Sequence, residues 1–331
     1  HREVHMNRLN TYLNMIWLLV AILLAGCSTQ SSLDIQPPEA LEETGVQFTE
    51  PTLTLTLPPP VVRTRSKTAT STLLPASTAT ITPAPSVAHT PDPYEGLSVP
   101  GLAARSYGGG LLQRVETLAV NSYFTRTLFA YPSDGLMIYG FMNEPKRGEP
   151  PFPVVIALHG YIDPEIYETV DYTTRYADAL AREGFLVLHP NLRGYPPSDE
   201  GENLFRVGMA IDVLNLIAII QEQAGQPGLL LHAEPHSIGL WGHSMGGGIS
   251  TRVMTVSPEV DAVVLYGAMS GDEMKNFERI LNYFSNGQRG QEELSYPAEA
   301  FEVISPVNYL ERVDAAVSIH HGEADGEVPL A

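Results

Sequence analysis

The chain has 331 residues, 44% of them hydrophobic, enough for one large α/β domain with accessory segments or for two small domains. Its 19 Lys and Arg face 38 Asp and Glu, and the resulting net charge of −19 leaves no basic stripe to neutralise phosphates, which argues against nucleic acid as a partner. The one cysteine, Cys27, excludes an internal disulfide.

The first residue is a histidine, and Met6 is the expected true start. A short basic segment leads into the apolar run Met15–Ala25 and then Gly26-Cys27. That pattern makes a secretory signal over residues 1–27 rather than a stable membrane span. Leu24-Ala25-Gly26-Cys27 also resembles the bacterial lipobox, in which the cysteine is lipidated. Several acyl chains on Cys27 would give durable attachment to the extracytoplasmic face of a bacterial membrane. Residues 28–110 read as a Thr/Ser/Pro-rich stalk, with Pro51–Pro60, Thr78–Pro85 and Thr90–Pro93 too rich in proline and polar residues to pack.

A folded domain is expected over residues 111–331. Phe124–Tyr131 and Gly135–Met142 predict a hairpin across Pro132-Ser-Asp-Gly135. Pro153–Leu158 is a continuous apolar run, a strand buried on both faces, and it ends in His159-Gly160-Tyr161. Thr169–Glu183 has helical spacing and closes at Gly184. Phe185–Leu188 predicts the next strand, and Val207, Ile211, Leu214 and Ala218 mark one face of a long helix. Further strands are predicted at Ile238–Trp241, Ala262–Tyr266 and Ala316–Ile319, with a lid-like region over 272–297. Strands alternating with helices imply a mostly parallel sheet covered on both faces.

The stretch Gly242-His243-Ser244-Met245-Gly246 carries the chemistry. It matches the G-x-S-x-G turn that pushes a serine hydroxyl into the open between strand and helix. Gly242 and Gly246 leave room for close backbone approach, and the N–H of Met245 would point at an oxyanion formed on Ser244. Two other loops at strand ends hold polar groups: His159-Gly160-Tyr161, and His320-His-Gly-Glu-Ala-Asp-Gly-Glu327.

From about residue 124 onward the chain resembles an α/β-hydrolase of the prolyl oligopeptidase type, with dienelactone-hydrolase-like relatives. The resemblance rests on Tyr131–Gly140, Pro153–Gly160, Asn191-Leu-Arg-Gly-Tyr195, Gly242–Gly247 and His321–Pro329. It implies Ser244 as nucleophile, Asp325 as the acid of a catalytic triad, and hydrolysis of peptide or related acyl bonds. It also implies that the N–H groups of Tyr161 and Met245 form the oxyanion hole, with His159 and Gly160 shaping the turn. Glu323 and Glu327 are rival carboxylates.

The order of such a triad is serine, acid, histidine. No histidine follows Asp325 before Ala331, so the catalytic histidine is expected beyond Ala331 and the domain to be incomplete at its C-terminus. His243, His320 and His321 read as structural. Family peptidases carry a β-propeller before the catalytic domain; a stalk in its place raises the case for a carboxylesterase. The reading from another class is a surface-displayed binding lipoprotein without catalysis. A metal site on His320, His321, Glu323 and Asp325 has poor spacing, and no cofactor is implied.

Overall fold

A computed structural model describes residues 94–330. The proposed signal, Cys27 and most of the stalk lie outside the described residues. Eight strands build one sheet: β1 (Gln113–Val120), β2 (Phe124–Ser133), β3 (Leu136–Pro145), β4 (Phe152–Leu158), β5 (Leu186–Pro190), β6 (Ala233–His243), β7 (Ala262–Tyr266) and β8 (Ala316–His320). Their spatial order is β1-β2-β3-β5-β4-β6-β7-β8. β1, β2, β3 and β5 pair antiparallel. From β5 through β4, β6 and β7 to β8 every pairing is parallel.

The β2–β3 hairpin closes between Ser133 and Leu136, with Asp134 and Gly135 at φ of 50° and 83°. Two successive left-handed residues match the twist of the flanking strands, and Asp-Gly is the pair that adopts them most readily.

Side-chain alternation divides the sheet into two faces. Val154, Ile156 and Leu158 of β4 join the main core, whereas Ala157 joins a smaller cluster with Phe124, Phe141 and Val187. Helix α2 (Thr174–Arg182) covers that smaller cluster through Ala177 and Ala181. On the other face lie α3 (Val207–Gln223) and α4 (Met245–Val256). Thirteen of the 17 residues of α3 are buried, so this helix is apolar nearly all round and sits in the core. Two short helices, α5 (Glu273–Arg279) and α6 (Ala298–Ile304), follow β7.

Several boundaries differ from the sequence expectations. The folded domain begins before residue 111: α1 (Val99–Ala104) places Val99 and Leu102 in the core with no exposed surface. Ser98 caps this helix by accepting the N–H of Gly101 at 3.2 Å. A capping serine, a proline in the first turn and two apolar residues three apart outweigh the proline-rich composition around them. β1 was not foreseen, because it is exposed along nearly its whole length and shows no apolar alternation. The predicted helix over 169–183 is confined to α2, since the hydroxyls of Thr173 and Thr174 bond to His189 and to the Val170 carbonyl. The Thr174 hydroxyl thereby bonds a backbone carbonyl of the preceding turn, and that of Thr173 ties the helix start to β5.

Candidate active site

β6 ends at His243 and α4 begins at Met245, so Ser244 alone makes the turn, at φ 51° and ψ −113°. A side chain held in this region costs about 1–3 kcal/mol and needs surroundings that over-determine it. Ser244 N–H donates to the Tyr266 carbonyl at 3.0 Å, and the Ser244 carbonyl accepts from Gly247 and Met269, each at 3.0 Å. The glycines make that packing possible. A Cβ on Gly242 would lie 2.4 Å from the Gly246 carbonyl, and one on Gly246 would lie 2.3 Å from the carbonyl of Leu158. Among the described residues, Ser244 Oγ has no hydrogen-bond partner. Met245 opens the helix, so its N–H has no acceptor within the helix.

The end of β4 presses on this turn. A Cβ on Gly160 would lie 2.9 Å from His243 Nδ1 and 3.2 Å from Ser244 Cβ. His159 is fully buried, with Nδ1 2.7 Å from the Gly160 carbonyl and Nε2 2.9 Å from the Asn191 carbonyl. Burial lowers its pKa against the pull of both carbonyls, so the ring is neutral and its single N–H donates to one of the two. Tyr161 is half exposed and lines a cavity that also opens on Ser244 and Met245.

Asp325 lies on the wall of the same cavity. Its Oδ1 accepts the N–H groups of Glu327 and Val328, each at 2.9 Å, and its Oδ2 is 3.6 Å from His321 Nε2. These amide bonds, that of Val328 first, hold the carboxyl below its ordinary range, so it is ionised at neutral pH. A Cβ on Gly267 would lie 3.5 Å from Asp325 Oδ2 and 3.9 Å from His243 Nε2, so both the acid and the elbow histidine lie next to that glycine. His243 Nδ1 is 2.7 Å from the Tyr172 hydroxyl; burial lowers the pKa of this ring while Asp325 pulls it up. Glu327 also lines the cavity, whereas His320 bonds Ser318 on the exposed β8. Among the described residues no three His, Cys, Asp or Glu side chains are grouped to hold a metal ion.

The cavity measures about 960 Å³. The region after β7 forms one wall through Phe277, Ile280, Phe284 and Arg289, and the turn into α3 forms another through Phe205 and Arg206. Six described residues other than glycine have positive φ, and four of them (Phe205, Arg206, Ser244 and Asn286) line this cavity. Backbone strain concentrates at functional sites, so this grouping marks the cavity as a candidate. The wall after β7 falls within the lid-like region expected over 272–297, whereas the wall at Phe205 and Arg206 was not assigned from sequence. Arg193 had a signal in the Asn191–Tyr195 motif, but its partner Asp212, buried in the apolar α3, was overlooked; the two side chains meet at 2.8 Å.

A profile described as alpha/beta hydrolase fold matches residues 153–293, the span from β4 through the elbow to the cavity wall. This chain has the α/β-hydrolase fold. The chain is similar to a Bacillus subtilis protein named uncharacterized peptidase YuxL, 23% identical over 201 residues, or 60% of this chain and 30% of the relative. An acylaminoacyl peptidase of Pyrococcus horikoshii superposes with a TM-score of 0.50 at 23% identity, covering 63% of this chain and 33% of its own. Acetyl xylan esterase 1 of a Thermoanaerobacterium species superposes with a TM-score of 0.48 at 17% identity, covering 67% of this chain and 75% of the esterase. The chain thus spans about a third of the length of the two peptidases it matches, at 30% and 33%.

Proposed function

We propose that this protein is a serine hydrolase that cleaves acyl bonds through an acyl-enzyme on Ser244, with peptides as the favoured substrates. The observation that carries this reading is the strained Ser244, its Oγ unpartnered beside the Met245 N–H and in one cavity with an ionised Asp325. Ser244 Oγ attacks the substrate carbonyl and loses its proton to a general base. The carbonyl oxygen, now an anion, accepts the N–H groups of Tyr161 and Met245. Collapse expels the leaving group, which takes the proton from the base, and water repeats the sequence on the acyl-enzyme. The base is a histidine following Asp325 in the order serine, acid, histidine, and Asp325 orients it. Peptide over ester is favoured by the names of the two peptidases that the chain resembles. We also propose export and lipidation at Cys27, supported by the Leu24–Cys27 sequence.

A fluorophosphonate probe tests the reading. The full-length protein should be labelled, and Ser244→Ala should not; equal labelling of both would remove Ser244 as nucleophile. Labelled palmitate should enter the protein in a bacterial host and be lost in Cys27→Ser.

A further inference from the structure

We propose that Arg289 makes this site selective for substrates that carry a carboxylate close to the scissile carbonyl; the inference rests on Ser244 as the nucleophile of the cavity. Three guanidinium groups line the cavity: Arg193, Arg206 and Arg289. Arg193 is neutralised by Asp212 at 2.8 Å, and Arg206 is paired with Glu273. Arg289 has no carboxylate partner among the described residues. Of the three, it alone is left without a carboxylate.

The position of Arg289 is defined. Its backbone N–H donates to Ser285 Oγ at 3.1 Å, and its guanidinium stacks over the Tyr161 ring, 4.3 Å from the centroid. A cation over an aromatic face is held in place with its N–H edge still free to donate. Glu293, four residues on and also on the wall, accepts the Phe205 N–H at 3.3 Å and forms no ion pair with Arg289. The cation therefore rests on the residue whose backbone N–H we assign to the oxyanion.

The acids of the cavity lie on another segment: Asp325 and Glu327 follow β8, three strand positions from β4 in the order β4-β6-β7-β8, and no ion pair joins either to Arg289 among the described residues. The cation therefore stands at the oxyanion side of the cavity. A guanidinium there forms two parallel hydrogen bonds with a carboxylate, which fixes orientation as well as supplying affinity.

Two esters of equal acyl length test this in the full-length protein: p-nitrophenyl butyrate and p-nitrophenyl hemisuccinate, which differ in a terminal methyl against a carboxylate. The hemisuccinate should have the higher kcat/KM, and Arg289→Gln should lower the hemisuccinate-to-butyrate ratio roughly ten- to a hundredfold, as loss of a charge-assisted hydrogen bond implies. Arg289→Lys should keep an intermediate ratio. A purely structural role would slow both esters alike and leave the ratio unchanged. If butyrate is cleaved but hemisuccinate is no better, or if Arg289→Gln keeps the wild-type ratio, the inference fails while the Ser244 reading stands. If neither ester is cleaved and fluorophosphonate does not label the protein, the Ser244 reading fails and takes the inference with it.

Discussion

Arg252 and Glu273 meet at 2.5 Å with side chains 1% and 4% exposed, an ion pair sealed between the elbow helix α4 and the cavity-wall helix α5. Arg252 also donates to the carbonyl of Ile304 at 2.7 Å, and Glu273 bonds Arg206 through its other oxygen. One carboxylate therefore serves two guanidinium groups. Removing it strands both charges, one of them deep in the core. Glu273→Gln should cost about 3–5 kcal/mol, the range for breaking a buried pair. Arg252→Met should cost less, because Glu273 keeps Arg206. Urea unfolding of both variants checks this, and equal losses would mean that the pair does not act as a shared hub.

The strain at Ser244 has a measurable consequence. At φ 51° and ψ −113° only glycine is unhindered. Ser244→Gly should raise stability by about 1 kcal/mol, the relief of strain exceeding the entropy glycine adds to the unfolded chain. The same variant should lose fluorophosphonate labelling. A destabilised Ser244→Gly would mean that the hydroxyl contributes to folding rather than to chemistry.

Gly246 is the converse case. An added Cβ would meet the Leu158 carbonyl at 2.3 Å and that of His159 at 2.6 Å, and backbone at a strand end gives way poorly. Gly246→Ala should cost about 1–3 kcal/mol as an overpacked contact. It should also slow labelling of Ser244, because relief requires α4 to move away from β4. A variant as stable and as rapidly labelled as wild type would show that the two elements slide freely.

The elbow was legible because its chemistry is local: five consecutive residues set the turn, the glycines and the exposed serine. The strands from β2 to β7, apart from the first half of β6, were legible for a similar reason, since buried strands advertise themselves as apolar runs; β8 is exposed and was legible only from the short run Ala316–Ile319. The cavity was not. Arg289 stacks on Tyr161 across 128 residues of chain, and Arg252 finds Glu273 across 21, so nothing in either neighbourhood encodes the pairing. α1 was hidden differently, its two core residues set in a proline-rich surround. Short-range pattern reads turns, caps and buried runs; partnerships between distant polar groups emerge only once the sheet brings them together.

His189 offers a test of the interior by pH. It is fully buried beside β4, stacked on Phe141 at 4.7 Å and on His159 at 5.6 Å, with its Nε2 2.5 Å from Thr173 Oγ1. Burial, with the neighbouring His159 adding to it, lowers its pKa from 6.5 to about 3. Its contribution to stability is therefore fully present above pH 6.5 and is lost as pH falls toward 3, because the unfolded chain takes up a proton that the folded chain refuses. Each such proton contributes a slope of up to about 1.4 kcal/mol per pH unit. His159 is lowered by burial as well and acts in the same direction. His189→Asn removes one titrating group while keeping a polar atom for Thr173. Urea midpoints measured at pH 7 and pH 5 should diverge less for this variant than for wild type, by up to one proton's worth. An unchanged pH dependence would mean that His189 is protonated in the fold, and that burial does not govern it.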